Sequence, residues 1–159
     1  PYFYEPAVHV PLIVSWPEHI RPARSTALVE LVDTTQTLLD AIGLPHHPGM
    51  QGRSLWPLLT GNASVSEHRG NVYCELYSGR QLQGEQASLG TMVRDDRHKL
   101  VVYHRTKEGE LYDLQSDPLE STNLWSDPGF ADVKAGLMFA LCNRMAFTAD
   151  TLPVPISAW

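Results

Sequence analysis

Residues 109–125 read GELYDLQSDPLESTNLW. A short strand, ELYDL at 110–114, runs directly into two turn signals, SDP and ESTNL. The stretch is too polar for a core and too patterned for an arbitrary loop. Asp117 precedes Pro118, and the proline ring fixes its own backbone angle and helps set the turn. Glu120 and Asn123 carry side chains suited to hydrogen bonds with local backbone groups, and Leu124 can anchor the turn on a core. The motif therefore reads as a stop-and-turn device at the end of a sheet, not as a reactive site.

Working upstream, TMVRD (91–95) and HKLVVYH (98–104) are strand-like runs joined by Asp95-Asp96-Arg97, the pattern of a hairpin. RTKEG (105–109) is the next turn, and NVYCELY (71–77) supplies a fourth strand. Working downstream, Ser126-Asp127-Pro128 opens a helix, with Ser126 as the expected cap and Pro128 in the tolerant first turn. Phe130, Val133, Leu137, Leu141 and Met145 recur every three or four positions, a stripe that would bury one helix face on the sheet. TLPVPISAW (151–159) reads as an extended tail.

The first third is different. AVHVPLIVSW (7–16) is a nearly continuous apolar run, expected to be a strand buried on both faces, with His9 inside it. ALVEL (27–31) is expected to be a second short strand. VDTTQTLLDAIGLP (32–45) is expected to be a helix capped by Asp33 or Thr34, with Leu38, Leu39 and Ile42 on its buried face and Gly43 as its stop. SLWPLLTG (54–61) suits one or two helical turns. A strand buried on both faces needs neighbours that this chain does not supply.

Composition sets outer limits. The chain has 159 residues, 43% hydrophobic and 19% charged, which suits a folded globular protein. Its net charge of −6 and lack of any Lys/Arg run argue against nucleic acid as a partner. No apolar run approaches the roughly 20 residues of a membrane helix. The two cysteines, Cys74 and Cys142, lack metal spacing and are expected to be buried free thiols. Pro1 and the absence of a signal-like start suggest a processed chain, or one cut from something longer.

Five stretches in order resemble the C-terminal part of the sulfatase family, within the alkaline-phosphatase-like superfamily. They are YEPAVHVPLIVSWP (4–17), LVDTTQTLLDAIGLP (31–45), MQGRSLWPLL (50–59), MVRDDRHKLVVY (92–103) and GELYDLQSDPLESTNL (109–124). Gln36 departs from the pattern, because the family usually has proline there. The resemblance implies an α/β fold. Residues 1–64 would be the end of the sulfatase α/β domain, and residues 65–159 an α+β subdomain, a four-stranded antiparallel sheet packed on a long C-terminal helix.

For the full-length enzyme the resemblance implies hydrolysis of sulfate esters, a calcium ion held by oxygen ligands, and a formylglycine made from Cys or Ser in C/S-x-P-x-R. This chain lacks that motif. Cys74 and Cys142 have neither the proline nor the arginine, and Ser15-Trp16-Pro17-Glu18-His19 has His19 in the arginine position. No paired metal-binding carboxylates stand at suitable spacing either, and the family's last catalytic lysine lies just before the YE segment. The chain alone is therefore expected to be inactive, with no catalytic and no metal-binding residue of its own. Its expected partners are the missing N-terminal catalytic part and a sulfated small molecule or glycan, with no nucleic acid and no membrane.

The loop LYSGRQLQGEQAS (76–88) is the least family-like stretch and is rich in hydrogen-bonding groups. Rim loops commonly carry specificity, so Glu75, Tyr77, Arg80 and Gln81 are the candidate substrate-binding residues. His46-His47, His98 and His104 lack a third partner at metal spacing. Two other activities stay open: a phosphodiesterase or phosphonate monoester hydrolase on the same scaffold, or a non-catalytic glycan-binding module. Family habit implies a periplasmic or secreted location.

Overall fold

The structure, a computed structural model, describes residues 3–77 and 89–148. In chain order the elements are α1 (Glu5–Val8), α2 (Asp33–Ala41), α3 (Trp56–Leu59), β1 (Val72–Tyr77), β2 (Leu89–Arg94), β3 (His98–Tyr103), β4 (Gly109–Asp113), a 3₁₀ turn (Pro128–Phe130) and α4 (Ala131–Thr148). The chain divides into two compact units, Pro1–Ser15 with Arg69–Asn143, and Trp16–His68 with Arg144–Trp159.

In the first unit the four strands form one antiparallel sheet in the order β1-β2-β3-β4. The expected hairpin is present: Asp95 Oδ1 accepts the backbone N–H groups of Arg97 (2.8 Å) and His98 (2.6 Å), closing the β2–β3 turn. The β3–β4 turn places Arg105 at φ +70°. The register puts Tyr73, Val93, Leu100 and Leu111 in one row across the sheet, and Cys74, Met92, Val101 and Glu110 in the adjacent row on the other face.

Each face has its own cover. Phe3 packs with Met92 and Val101, joined by Val8, Cys74 and Tyr103, so the segment around α1 covers one face. The close approach explains Gly90, where an added Cβ would lie 2.7 Å from the Phe3 ring. On the other face the His98 ring meets Phe130 edge-on at 6.4 Å, at the start of α4. The Trp125 ring lies against Gly109, where a Cβ would lie 2.3 Å from it, and Lys134 of α4 sits over that ring at 4.9 Å. The α4 stripe follows the sequence expectation, with Leu137 and Leu141 buried. The cap does not: Asp127, not Ser126, accepts the Gly129 N–H at 2.8 Å, because a 3₁₀ turn precedes the helix.

The apolar run 7–16 is not a strand. Residues 5–8 form α1, and Val10, Leu12, Ile13 and Val14 are exposed with no strand partner among the described residues. His9 is likewise exposed, with Nδ1 3.2 Å from Glu5. Extended backbone needs a neighbouring ladder to become sheet, and the described residues supply none. Residues 27–31 form no strand for the same reason.

In the second unit α2 lies where the periodicity placed it. Its end is a Schellman motif: Gly43 at φ +71° donates to Asp40 O (3.1 Å), and Leu44 donates to Leu39 O (2.9 Å). The buried face is the reverse of the expected one. Asp33, Gln36 and Thr37 are buried, while Leu38 and Ile42 are exposed and Leu39 is half-buried. The polar side wins because it closes onto the 52–55 segment. Asp33 Oδ1 accepts the Arg53 N–H (2.7 Å), Thr37 Oγ1 accepts the Leu55 N–H (2.8 Å), and Gly52 comes so close that a Cβ would lie 2.2 Å from Val32 O. Asp33 does not cap α2; its Oδ2 accepts the Glu30 N–H at 2.9 Å. The cysteines are also less buried than expected, Cys74 being half-buried and Cys142 exposed.

Candidate functional site

The candidate site begins on β1, the edge strand that leads into the polar loop. Residues two apart on a strand share a face, so Tyr73, Glu75 and Tyr77 stand in one row. Across the β1–β2 ladder they face Val93, Thr91 and Leu89. The Tyr73 hydroxyl donates to Glu75 Oε2 at 2.5 Å. Burial, then the Glu75 carboxylate and Tyr77, push the Tyr73 hydroxyl well above the usual phenol range. Glu75 is exposed and Tyr77 is 52% exposed. Thr91, buried beside them, shares a hydrogen bond with His104 Nε2 at 2.9 Å. Of the four residues singled out in sequence, the structure brings Glu75 and Tyr77 together. Arg80 and Gln81 lie outside the described residues.

A second polar constellation was missed by sequence reasoning. Lys99 of β3 is fully buried, and its Nζ donates to Phe3 O (2.9 Å) and Glu120 Oε1 (2.7 Å) and lies 2.7 Å from Glu5 Oε1. Glu120 Oε2 in turn accepts the Glu5 N–H at 2.7 Å. Glu120 thus does not bond local backbone, as the turn pattern suggested, but reaches back across 115 positions. It does so from φ +55°, a backbone region that a non-glycine residue rarely adopts. Lys99 and Arg94 hold the Glu5 carboxyl below the usual range against the opposing effect of burial. A signal was available: a lysine inside the apolar run HKLVVY requires a buried counter-charge.

Asn123 does act locally. Its Oδ1 accepts the N–H groups of Leu111 (3.1 Å) and Trp125 (2.9 Å), and its Nδ2 donates to Gly109 O (3.0 Å). Arg97 binds the nearly buried Asp113 with both Nε (3.0 Å) and Nη2 (2.7 Å), and holds its carboxyl well below the usual carboxylate range. In the second unit His68 Nε2 lies 3.3 Å from Asp33 Oδ2. These three groups fasten loops and strand ends.

None of these groups is a nucleophile paired with a base. Among the described residues no cluster of three His, Cys, Asp or Glu side chains is placed to hold a metal ion, so they do not fit calcium. No helix among them is long and apolar enough to cross a membrane. What β1 can do is recognise: an exposed carboxylate flanked by two phenols accepts hydrogen bonds and offers aromatic surface.

The chain belongs to the sulfatases, its residues 1–146 matching the family described as "N-sulphoglucosamine sulphohydrolase, C-terminal". It is 33% identical to Arylsulfatase K of Mus musculus over 124 residues, 76% of this chain and 22% of that protein. Among solved structures it resembles a putative sulfatase of Bacteroides thetaiotaomicron, at 30% identity and TM-score 0.65, covering 74% of this chain and 25% of that one. It also resembles a phosphonate monoester hydrolase from Silicibacter pomeroyi, at 28% identity and TM-score 0.64, covering 75% and 25%. The fold is thus that of the alkaline-phosphatase-like sulfatases, and the chain spans about a quarter of the length of these proteins.

Proposed function

We propose that this chain is the C-terminal part of a sulfatase that hydrolyses sulfate esters of a sugar, and that its role there is to shape the substrate cleft. The observation that carries the reading is the match of residues 1–146 to a sulfatase C-terminal family. In this reading residues 1–64 are the C-terminal end of the α/β domain and residues 65–159 the antiparallel-sheet subdomain, although residues 1–15 pack with the sheet. The nucleophile, a formylglycine, and the calcium ligands belong to the preceding part of the full-length enzyme, and this chain alone is inactive. Glu75, Tyr77, Arg80 and Gln81 face the cleft; the exposure of Glu75 and Tyr77 on the edge strand supports this. The location is periplasmic or secreted.

A second reading follows from the likeness to a phosphonate monoester hydrolase: the same scaffold cleaving a phosphonate or phosphate ester. The two are separated by assaying the full-length enzyme on 4-nitrophenyl sulfate and on 4-nitrophenyl phenylphosphonate. Preference for the sulfate by two orders of magnitude or more is expected. Preference for the phosphonate would replace the first reading with the second, and activity of the 159-residue chain alone would refute the division of labour.

A further inference from the structure

The Tyr73–Glu75–Tyr77 row has a chemistry more specific than that of a generic rim. The Glu75 carboxylate has one oxygen committed, Oε2, to the Tyr73 hydroxyl at 2.5 Å. That bond fixes the side chain along the strand. Oε1 has no protein partner among the described residues, and the side chain is exposed. The hydroxyl of Tyr73 is spent as donor to Glu75. Tyr77, two positions further along the same face, leaves half of its surface open to solvent.

A carboxylate oxygen held in place accepts hydrogen bonds from hydroxyl or ammonium groups. It repels sulfate, because like charges a few ångströms apart oppose each other. A tyrosine ring beside it gives the apolar C–H face of a sugar something to pack on. Thr91, the cross-strand neighbour of Glu75, is buried, and its hydroxyl is engaged with His104 Nε2 at 2.9 Å.

We propose that this row is a subsite for unsulfated hydroxyl or amino groups of the sugar that carries the scissile sulfate, and that Glu75 selects against a second sulfate at that place. The inference rests on the sulfatase reading given above and adds to it the sulfation pattern of the substrate.

The test uses the full-length enzyme. Its probes are glucosamine sulfated at a single position (N, 3-O or 6-O), the corresponding disulfates, and 4-nitrophenyl sulfate, which has no sugar. The wild-type enzyme is expected to favour a monosulfate over its disulfate by about tenfold or more in kcat/KM. Glu75→Gln keeps the shape and removes the charge. It should cut that ratio at least fivefold and lose more on the monosulfate than on 4-nitrophenyl sulfate. Tyr73→Phe, which frees the carboxylate without removing it, should reduce the ratio less. An unchanged ratio in Glu75→Gln, equal losses on sugar and aryl substrates, or a wild-type preference for disulfates would overturn the subsite while leaving the sulfatase reading intact. Failure of the wild-type enzyme to cleave any of these sulfates would overturn the sulfatase reading itself, and the subsite with it.

Discussion

Lys99 Nζ lies 2.7 Å from Glu120 Oε1 and 2.7 Å from Glu5 Oε1, with Lys99 fully buried. A single ammonium thus joins β3, the turn after β4 and the segment that opens α1. Lys99→Met would leave two carboxylates facing each other with no ammonium between them. Removing one partner of a buried ion pair costs about 3–5 kcal/mol, and a loss in that range is expected in urea denaturation. A loss below about 1 kcal/mol would show that the site is hydrated and the contacts weak.

The acid limb of stability should follow the same groups. Glu5 and Asp113 both have carboxyl groups held below their ordinary values, Glu5 by Lys99 and Arg94, Asp113 by Arg97. A carboxylate whose pKa is depressed on folding stabilises the fold above its unfolded value and loses that effect as pH falls. Stability should therefore decline below about pH 4, where unfolded carboxylates begin to take up protons. Asp113→Asn should flatten that decline in urea midpoints measured across the range. An equally steep slope in the variant would assign the decline to other carboxylates. At the alkaline end Tyr73 and Tyr112 are both pushed up. Their stabilising effect is present below the unfolded phenol value and should fade above about pH 10.

The two helices with apolar stripes should respond in opposite ways to truncation. Leu137 and Leu141 of α4 are buried, and either one changed to Ala should cost about 2–5 kcal/mol. Leu38 and Ile42 of α2 are 66% and 64% exposed, and their alanine variants should stay within about 0.5 kcal/mol of wild type. Large losses at Leu38 or Ile42 in the full-length protein, with none in this chain, would show that other parts of that protein cover this face.

Gly109 has no room for a side chain because the Trp125 ring lies against it. Gly109→Ala should displace that ring, at a cost of about 1–3 kcal/mol, and alter the tryptophan fluorescence. An unchanged spectrum would show that the ring already moves freely.

Much of this architecture is legible in the sequence where its pattern is local. The β2–β3 hairpin, the Gly43 stop and the α4 stripe each depend on residues a few positions apart. The misreadings share one cause. The apolar run 7–16 and the Leu38/Ile42 face are hydrophobic, but among the described residues nothing covers them, so periodicity alone assigned them to a core. The Lys99 contacts were hidden for the opposite reason: the partners lie 21 and 94 positions away along the chain, beyond the reach of any spacing rule. The β1 row was half legible. The polar rim loop pointed to Glu75 and Tyr77, while their shared strand face and the bond from Tyr73 that orients the carboxylate required coordinates.

The order β1-β2-β3-β4 also has a kinetic consequence. Each strand pairs with its neighbour in the chain, β2 with β3 and β3 with β4 through short turns, so the meander is expected to assemble early. The bond from Lys99 to Phe3 spans 96 positions, and its formation must wait for a long loop to close. The expected sequence is a sheet that forms first and a Phe3–Glu5 segment that docks last, so that the buried charge is sealed only after the strands are in register.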